Sequence, residues 1–109
     1  MRHALRGIRT AWESEQNFRL HVWSAAVLIV FMVVFDFSTL EAGLLLLVAT
    51  VVLAAELFNT AIEETLDVLE PSHHPLVGKA KDIAAGAVLL TSIGAVIVGI
   101  FVFFSHFSS

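Results

Sequence analysis

The hydrophobic and polar positions fall into three long apolar runs, with a basic segment ahead of them and one sizeable polar connection. Residues 20–35 form the first run. Trp23 lies near its start, where an interfacial aromatic belongs, and Phe35-Asp36-Phe37 closes it. Ser38-Thr39-Leu40-Glu41 then reads as a capping box, with Ser38 at the N-cap and Glu41 at N3, so a tight turn joins two antiparallel helices. The second helix is predicted over residues 39–69 and ends before Pro71. At about 46 Å it outruns a hydrocarbon core of roughly 30 Å, so its last turns stand clear of a membrane. Residues 70–82 hold both prolines and Gly78 and are predicted as a turn or short irregular segment. The third run, residues 83–105, carries Ala84, Ala85, Gly86, Ala87, Gly94, Ala95 and Gly99, and such small residues let membrane helices approach closely. Its aromatic end, residues 101–107, is predicted to be interfacial, and His106 is given no function.

Ahead of the spans, residues 1–16 read as a helix with Leu5, Ile8 and Trp12 on one face and Arg2, Arg6 and Arg9 on another. A basic amphipathic segment with a tryptophan suits an anionic membrane surface, the alternative being a helix packed on the rest of the protein. The first apolar run begins late and no small-residue cleavage site follows it, so no cleavable signal peptide is expected. All the basic residues sort to one side: Arg2, Arg6, Arg9 and Arg19 precede the first span, and Lys79 and Lys81 lie between the second and third. The positive-inside rule then places the N-terminus and the 70–82 connection in the cytoplasm and the C-terminus outside. The expected architecture is an all-α membrane protein, one domain over residues 1–109. It has an N-terminal surface helix (1–16) and three transmembrane helices (about 20–37, 39–69 and 83–105).

Composition sharpens this picture. The chain has 109 residues, 58% of them hydrophobic and 15% charged. That is more apolar and less charged than a soluble domain of this size, where about half the residues are apolar and a quarter charged. The absence of cysteine excludes disulfide frameworks and thiolate metal sites.

The chemistry concentrates at the end of the second helix. Residues 43–55 carry no charge, and then Glu56, Asn59, Glu63 and Asp67 follow. At 100° per residue these four fall at about 0°, 300°, 340° and 20°, one narrow stripe. Leu57, Phe58, Ala61, Ile62 and Leu66 take the other side. Glu63, Glu64 and Asp67 could be the solvated end of a long helix. Glu56 fits that account poorly, because it lies about 9 Å inside the expected membrane edge. A charge there costs roughly 2.5–3.5 kcal/mol on insertion scales and usually faces a site or a partner.

The predicted topology brings Glu15, Glu56, Asn59, Glu63, Asp67, His74, Lys81 and Asp82 to one membrane face. Carboxylates to hold a magnesium ion, a lysine to neutralise phosphate and a further carboxylate to accept a hydroxyl proton are the parts of phosphoryl transfer. The acceptor would be lipid-borne, since the candidate base sits below the surface. An ion-conducting or assembly protein could carry the same stripe. His73 and His74 could be metal ligands or ordinary polar surface, and Gly78-Lys79 lacks the upstream glycine of a P-loop. No nucleic acid partner is expected.

Glu56-x-x-Asn59-Thr60-Ala61-Ile62-Glu63-x-x-x-Asp67, followed by His74 and Gly78-Lys79-Ala80-Lys81-Asp82, resembles the prokaryotic diacylglycerol kinase/undecaprenol kinase family. The likeness extends back through Gly7-x-Arg9-x-Ala11-Trp12-x-x-Glu15-x-x-Phe18-Arg19 and covers most of the chain. Phe58 stands where leucine is usual, and a basic nucleotide contact that some members carry upstream of His3 is not expected here. The resemblance implies an ATP- and Mg²⁺-dependent lipid kinase of the bacterial cytoplasmic membrane, a homotrimer of three-span subunits with shared sites. It implies Glu56 as general base, supported by Asn59, and Glu15 and Glu63 as metal ligands beside the nucleotide. It implies ATP contacts from His3, Ser72, His73, His74, Lys81 and Asp82. Arg9, Trp12, Asn17 and Phe18 would border the lipid's path, and Asp67 would be structural. Around Ala85 the sequence is similar to the undecaprenol branch, whereas the diacylglycerol branch tends to carry serine there. Undecaprenol is therefore the expected substrate and diacylglycerol the alternative. A non-enzymatic three-span channel or assembly subunit is the competing class.

Overall fold

The computed structural model of the protein describes residues 1–72 and 74–108, arranged as α1 (Arg2–Ser14), α2 (Gln16–Val34), α3 (Thr39–Leu69) and α4 (Pro75–Ser108). His73, an expected ATP contact, lies outside the described residues. Helices α2, α3 and α4 are long and apolar enough to cross a membrane. The molecule measures 55 × 30 × 21 Å. Its longest dimension matches α4, about 51 Å at 1.5 Å per residue.

A single extended residue, Glu15 (φ −117°, ψ 107°), separates α1 from α2. The junction is held from both sides. The Glu15 N–H donates to Ala11 O at 2.8 Å, and Glu15 O accepts from the Arg19 N–H at 3.2 Å. The Arg19 guanidinium donates to Trp12 O at 2.7 Å and Glu13 O at 3.2 Å, covering carbonyls that α1 leaves without helical partners. The first span thus begins helically at Gln16, earlier than the apolar run, because Arg19 is spent on the joint.

The α2–α3 turn carries more structure than its sequence advertises. Asp36 adopts φ 53°, a left-handed conformation that aspartate tolerates better than most residues. The Phe37 N–H donates to Met32 O at 3.0 Å and the Asp36 N–H to Val33 O at 3.3 Å. This bond pair is the Schellman termination, usually built on glycine. Residues 35–37 are therefore turn rather than span. The capping box forms as expected, with Glu41 N–H donating to Ser38 Oγ at 3.1 Å and Ser38 N–H to Glu41 Oε1 at 2.8 Å. Met32 and Phe37 join Leu45 and Val102 in the buried core, at the end of the bundle opposite the acidic stripe.

His106, given no role from sequence, pins that end. Its Nδ1 lies 3.0 Å from Glu41 Oε1 and its Nε2 lies 2.9 Å from Phe35 O, while its ring stacks on Phe37 at 4.0 Å. Phe103 packs with Phe31 and Phe37 at 5.1 Å and faces the core, while Phe107 touches the same rings from an exposed position. Phe101 and Phe104 face outward.

α3 keeps its predicted bounds. The following connection is shorter than predicted, because α3 ends at Leu69 and α4 already starts at Pro75. Proline at the first helical position forfeits no intrahelical bond. His74 caps this start, its Nδ1 accepting the Leu76 N–H at 3.1 Å and its carbonyl accepting from Val77 and Gly78 at 3.1 Å. Lys81 and Asp82 therefore ride on helix rather than loop. The Lys81 ammonium ion-pairs with Asp67 and ties α4 to the end of α3.

Candidate active site

Two cavities form at the acidic end. The inner one, about 320 Å³, is lined by Glu15, Asn17 and Phe18 from the α1–α2 joint, Glu56, Asn59 and Glu63 from α3, and Ala85 and Val88 from α4. The helical period aligns the α3 groups, and the bend at Glu15 swings a fourth polar side chain over them. Glu56 is the one buried charged residue among those described, 8% exposed. Its Oε1 faces His21 Nδ1 at 3.4 Å, while Oε2 has no hydrogen-bond partner among the described residues. Asn59 donates to Glu63 Oε1 at 3.2 Å, and its own Oδ1 is likewise buried and unpartnered. A buried acceptor left unpaired costs about 1–3 kcal/mol, so such atoms mark places where a donor or cation is awaited.

The outer cavity, about 330 Å³, is lined by Asp67, Glu70, Ser72, His74, Gly78 and Lys81 among others. Ser72 donates to Glu70, which orders the connection around it. The expected nucleotide residues thus divide: Glu15 and Glu63 belong to the inner cavity, and Ser72, His74 and Lys81 to the outer one. His3 lies apart, in a recess between α1 and α3 with Thr60 and Glu64. Asp82 is exposed on α4 and lines none of these cavities.

The expected lipid residues divide as well. Arg9, Trp12 and Phe18 border an apolar groove of about 560 Å³, with Val22, Leu53 and Leu57. Asn17 lies in the inner cavity, and Phe18 belongs to both spaces. The apolar groove therefore meets the polar site at one buried phenylalanine.

Matching the sequence to known families gives a hit to the family described as Prokaryotic diacylglycerol kinase, over residues 2–103. The chain belongs to that family. It is 37% identical over 101 residues to the Undecaprenol kinase of Bacillus subtilis (strain 168), covering 93% of this chain and 82% of that one. It is 32% identical over 105 residues to the Diacylglycerol kinase of Escherichia coli (strain K12), covering 96% and 86%. With the Diacylglycerol kinase of Synechocystis sp. it shares 38% identity over 99 residues, covering 90% of this chain and 57% of that protein. These names are of lipid kinases, and the chain is a lipid kinase with three apolar helices, a multi-pass membrane protein.

A kinase of this kind uses ATP with a metal ion, and the donors of the inner cavity suit one. Glu15 and Glu63 offer hard carboxylate oxygens, and Asn59, whose Oδ1 is unpartnered among the described residues, lines the same cavity. Among the described residues no three acidic or imidazole groups converge to cage a cation.

His21 escaped the sequence reading. The available signal was an ionisable side chain inside an otherwise apolar run, a pattern that marks functional groups in membranes.

Proposed function

We propose that this lipid kinase transfers the γ-phosphoryl group of ATP to the hydroxyl of undecaprenol. The observation that carries the kinase chemistry is the buried Glu56 carboxylate, one oxygen of it unpartnered among the described residues, in the polar cavity that shares Phe18 with the apolar groove. The lipid's chain lies in the groove bordered by Arg9, Trp12 and Phe18, and its hydroxyl reaches Glu56. Glu56 accepts the hydroxyl proton as the new oxygen–phosphorus bond forms and the bond from phosphorus to the β-phosphate's bridging oxygen breaks, releasing ADP. Glu15 and Glu63 would hold a magnesium ion, which when bound would neutralise phosphate charge. Asn59 orients Glu63, and Lys81 with Ser72 and His74 would receive the outer part of the nucleotide. His73 and Asp82 remain family-implied contacts, as does His3 from its separate recess.

The choice of undecaprenol rests on the α4 wall. Ala85 and Val88, its two contributions to the inner cavity, offer no donor. Diacylglycerol brings ester carbonyls that need donors when taken from water, and an unpaired buried acceptor costs about 1–3 kcal/mol, or one to two decades in kcat/KM. A polyprenol brings only its hydroxyl and an apolar chain. The name of the Bacillus relative supports the same reading. In mixed micelles, kcat/KM should favour undecaprenol, and Ala85→Ser should narrow the gap. A tenfold or greater wild-type preference for diacylglycerol would overturn the substrate assignment.

The protein sits in the bacterial cytoplasmic membrane with α1 on the inner surface and its N-terminus in the cytoplasm. A reporter fused after Ser109 should be active only outside the cytoplasm, and cytoplasmic activity would refute that orientation. The working unit is a homotrimer. A Cβ placed on Gly86, Gly94 or Gly99 would meet nothing within 4 Å in the same chain, so these small-residue faces are available to another copy. Native mass measurement in mild detergent should give three chains, and a stable, active monomer would count against it.

A further inference from the structure

We infer that His21 is a positioning residue for Glu56, holding one carboxylate oxygen so that the other is presented to the lipid hydroxyl; this rests on Glu56 being the base. Among the described residues His21 is the one side chain within ion-pairing distance of Glu56, its Nδ1 3.4 Å from Oε1. That is long for a hydrogen bond, as catalytic contacts often are before substrate arrives. The arrangement is asymmetric. Oε1 lies within ion-pairing distance of a ring nitrogen, whereas Oε2 has no partner among the described residues.

The surroundings explain why an anchor is needed. Asn59, the other polar group near Glu56 on α3, turns its amide toward Glu63 instead. Below Glu56 the helix is apolar, and Val52, one turn away, is buried. An unheld carboxylate there would sample several rotamers, whereas a base must meet its proton within about half an ångström of the productive geometry. His21 lies on α2, six positions after the joint at Glu15, and lines a recess with Ser24, Ala25, Ala49, Ser92 and Ala95 that reaches all three long helices. α2 thereby contributes a group to the site below Glu15, one that directs Glu56 without facing the nucleotide.

The test compares His21→Leu, which removes the donor, with His21→Asn, which keeps a donor near the Nδ1 position. Both are assayed as full-length protein with a lipid alcohol and MgATP in mixed micelles. Losing a hydrogen bond to a charged group predicts that His21→Leu lowers kcat about tenfold or more with KM for MgATP unchanged. His21→Asn should stay within about threefold of wild type. Combining His21→Leu with Glu56→Gln should cost no more than Glu56→Gln alone, because the two act as a unit. His21→Met, apolar like leucine but unbranched, replaces the leucine variant if that one fails to assemble. Wild-type kcat in the apolar variant, equal losses for leucine and asparagine, or a loss confined to KM for MgATP would each overturn the inference. Glu56→Gln alone, run beside them, tests the base assignment: full activity there would sink that reading, whatever His21 does.

Discussion

Glu56→Gln should lower kcat by about 10²–10⁴-fold, the usual contribution of a general base, while MgATP binding and thermal unfolding change little. Glutamine keeps the shape and one acceptor but cannot take a proton at neutral pH. The surroundings of Glu56 make this separation clean. It is buried with His21 at ion-pairing distance, and the proposed outer nucleotide contacts Ser72, His74 and Lys81 line a separate cavity. Removing a half-paired carboxylate from an apolar stretch also relieves a desolvation cost, so the variant should fold at least as well as wild type. The decisive measurement is single-turnover phosphate transfer at saturating lipid and MgATP. A near-normal rate would move the base to another group.

The second large effect is expected at Glu63. Glu63→Gln should raise the magnesium requirement and KM for MgATP by about 10- to 150-fold, the cost of a lost charge-assisted contact of about 1.5–3 kcal/mol. Glutamine retains an acceptor for the Asn59 amide, which donates to Glu63 at 3.2 Å, so the local geometry should survive and the lost charge is what is measured. kcat at saturating metal should fall far less than in Glu56→Gln. A magnesium titration by calorimetry with a non-hydrolysable nucleotide reads the effect directly. Unchanged affinity would leave Glu15 as the sole proposed carboxylate ligand.

α3 was legible to the residue because both its ends carry chemical marks: a capping box at Ser38–Glu41 and a proline just past Leu69. The polar stripe was legible because four side chains share one helical phase. The start of α4 was not. Pro75, Gly78 and two lysines look like a loop, yet proline at a first helical position breaks nothing, and His74 supplies a cap from an uncommon residue. The Schellman turn was hidden because its left-handed residue is Asp36 rather than glycine. The division of the site into two cavities depends on how α4 lies against α3, a matter of tertiary packing that no local pattern encodes. His21 and His106 were missed for a shared reason. Each finds its partner on another helix, and a single histidine in an apolar stretch has no spacing to betray it.

Glu56 and Glu63 ride on one unbroken helix whose far end is fastened by a capping box and by His106. Seven residues of helical rise, about 10 Å, fix how far the proposed base lies below the proposed metal ligand, and no loop can take up a difference. α3 therefore works as a depth gauge. In a thicker bilayer the lipid's hydroxyl plane shifts along the gauge, and the helices can answer only by tilting or by thinning the lipid around them, at a cost of a fraction of a kcal/mol per ångström. Turnover should therefore vary with membrane thickness, and rates measured in vesicles of graded acyl-chain length would show it.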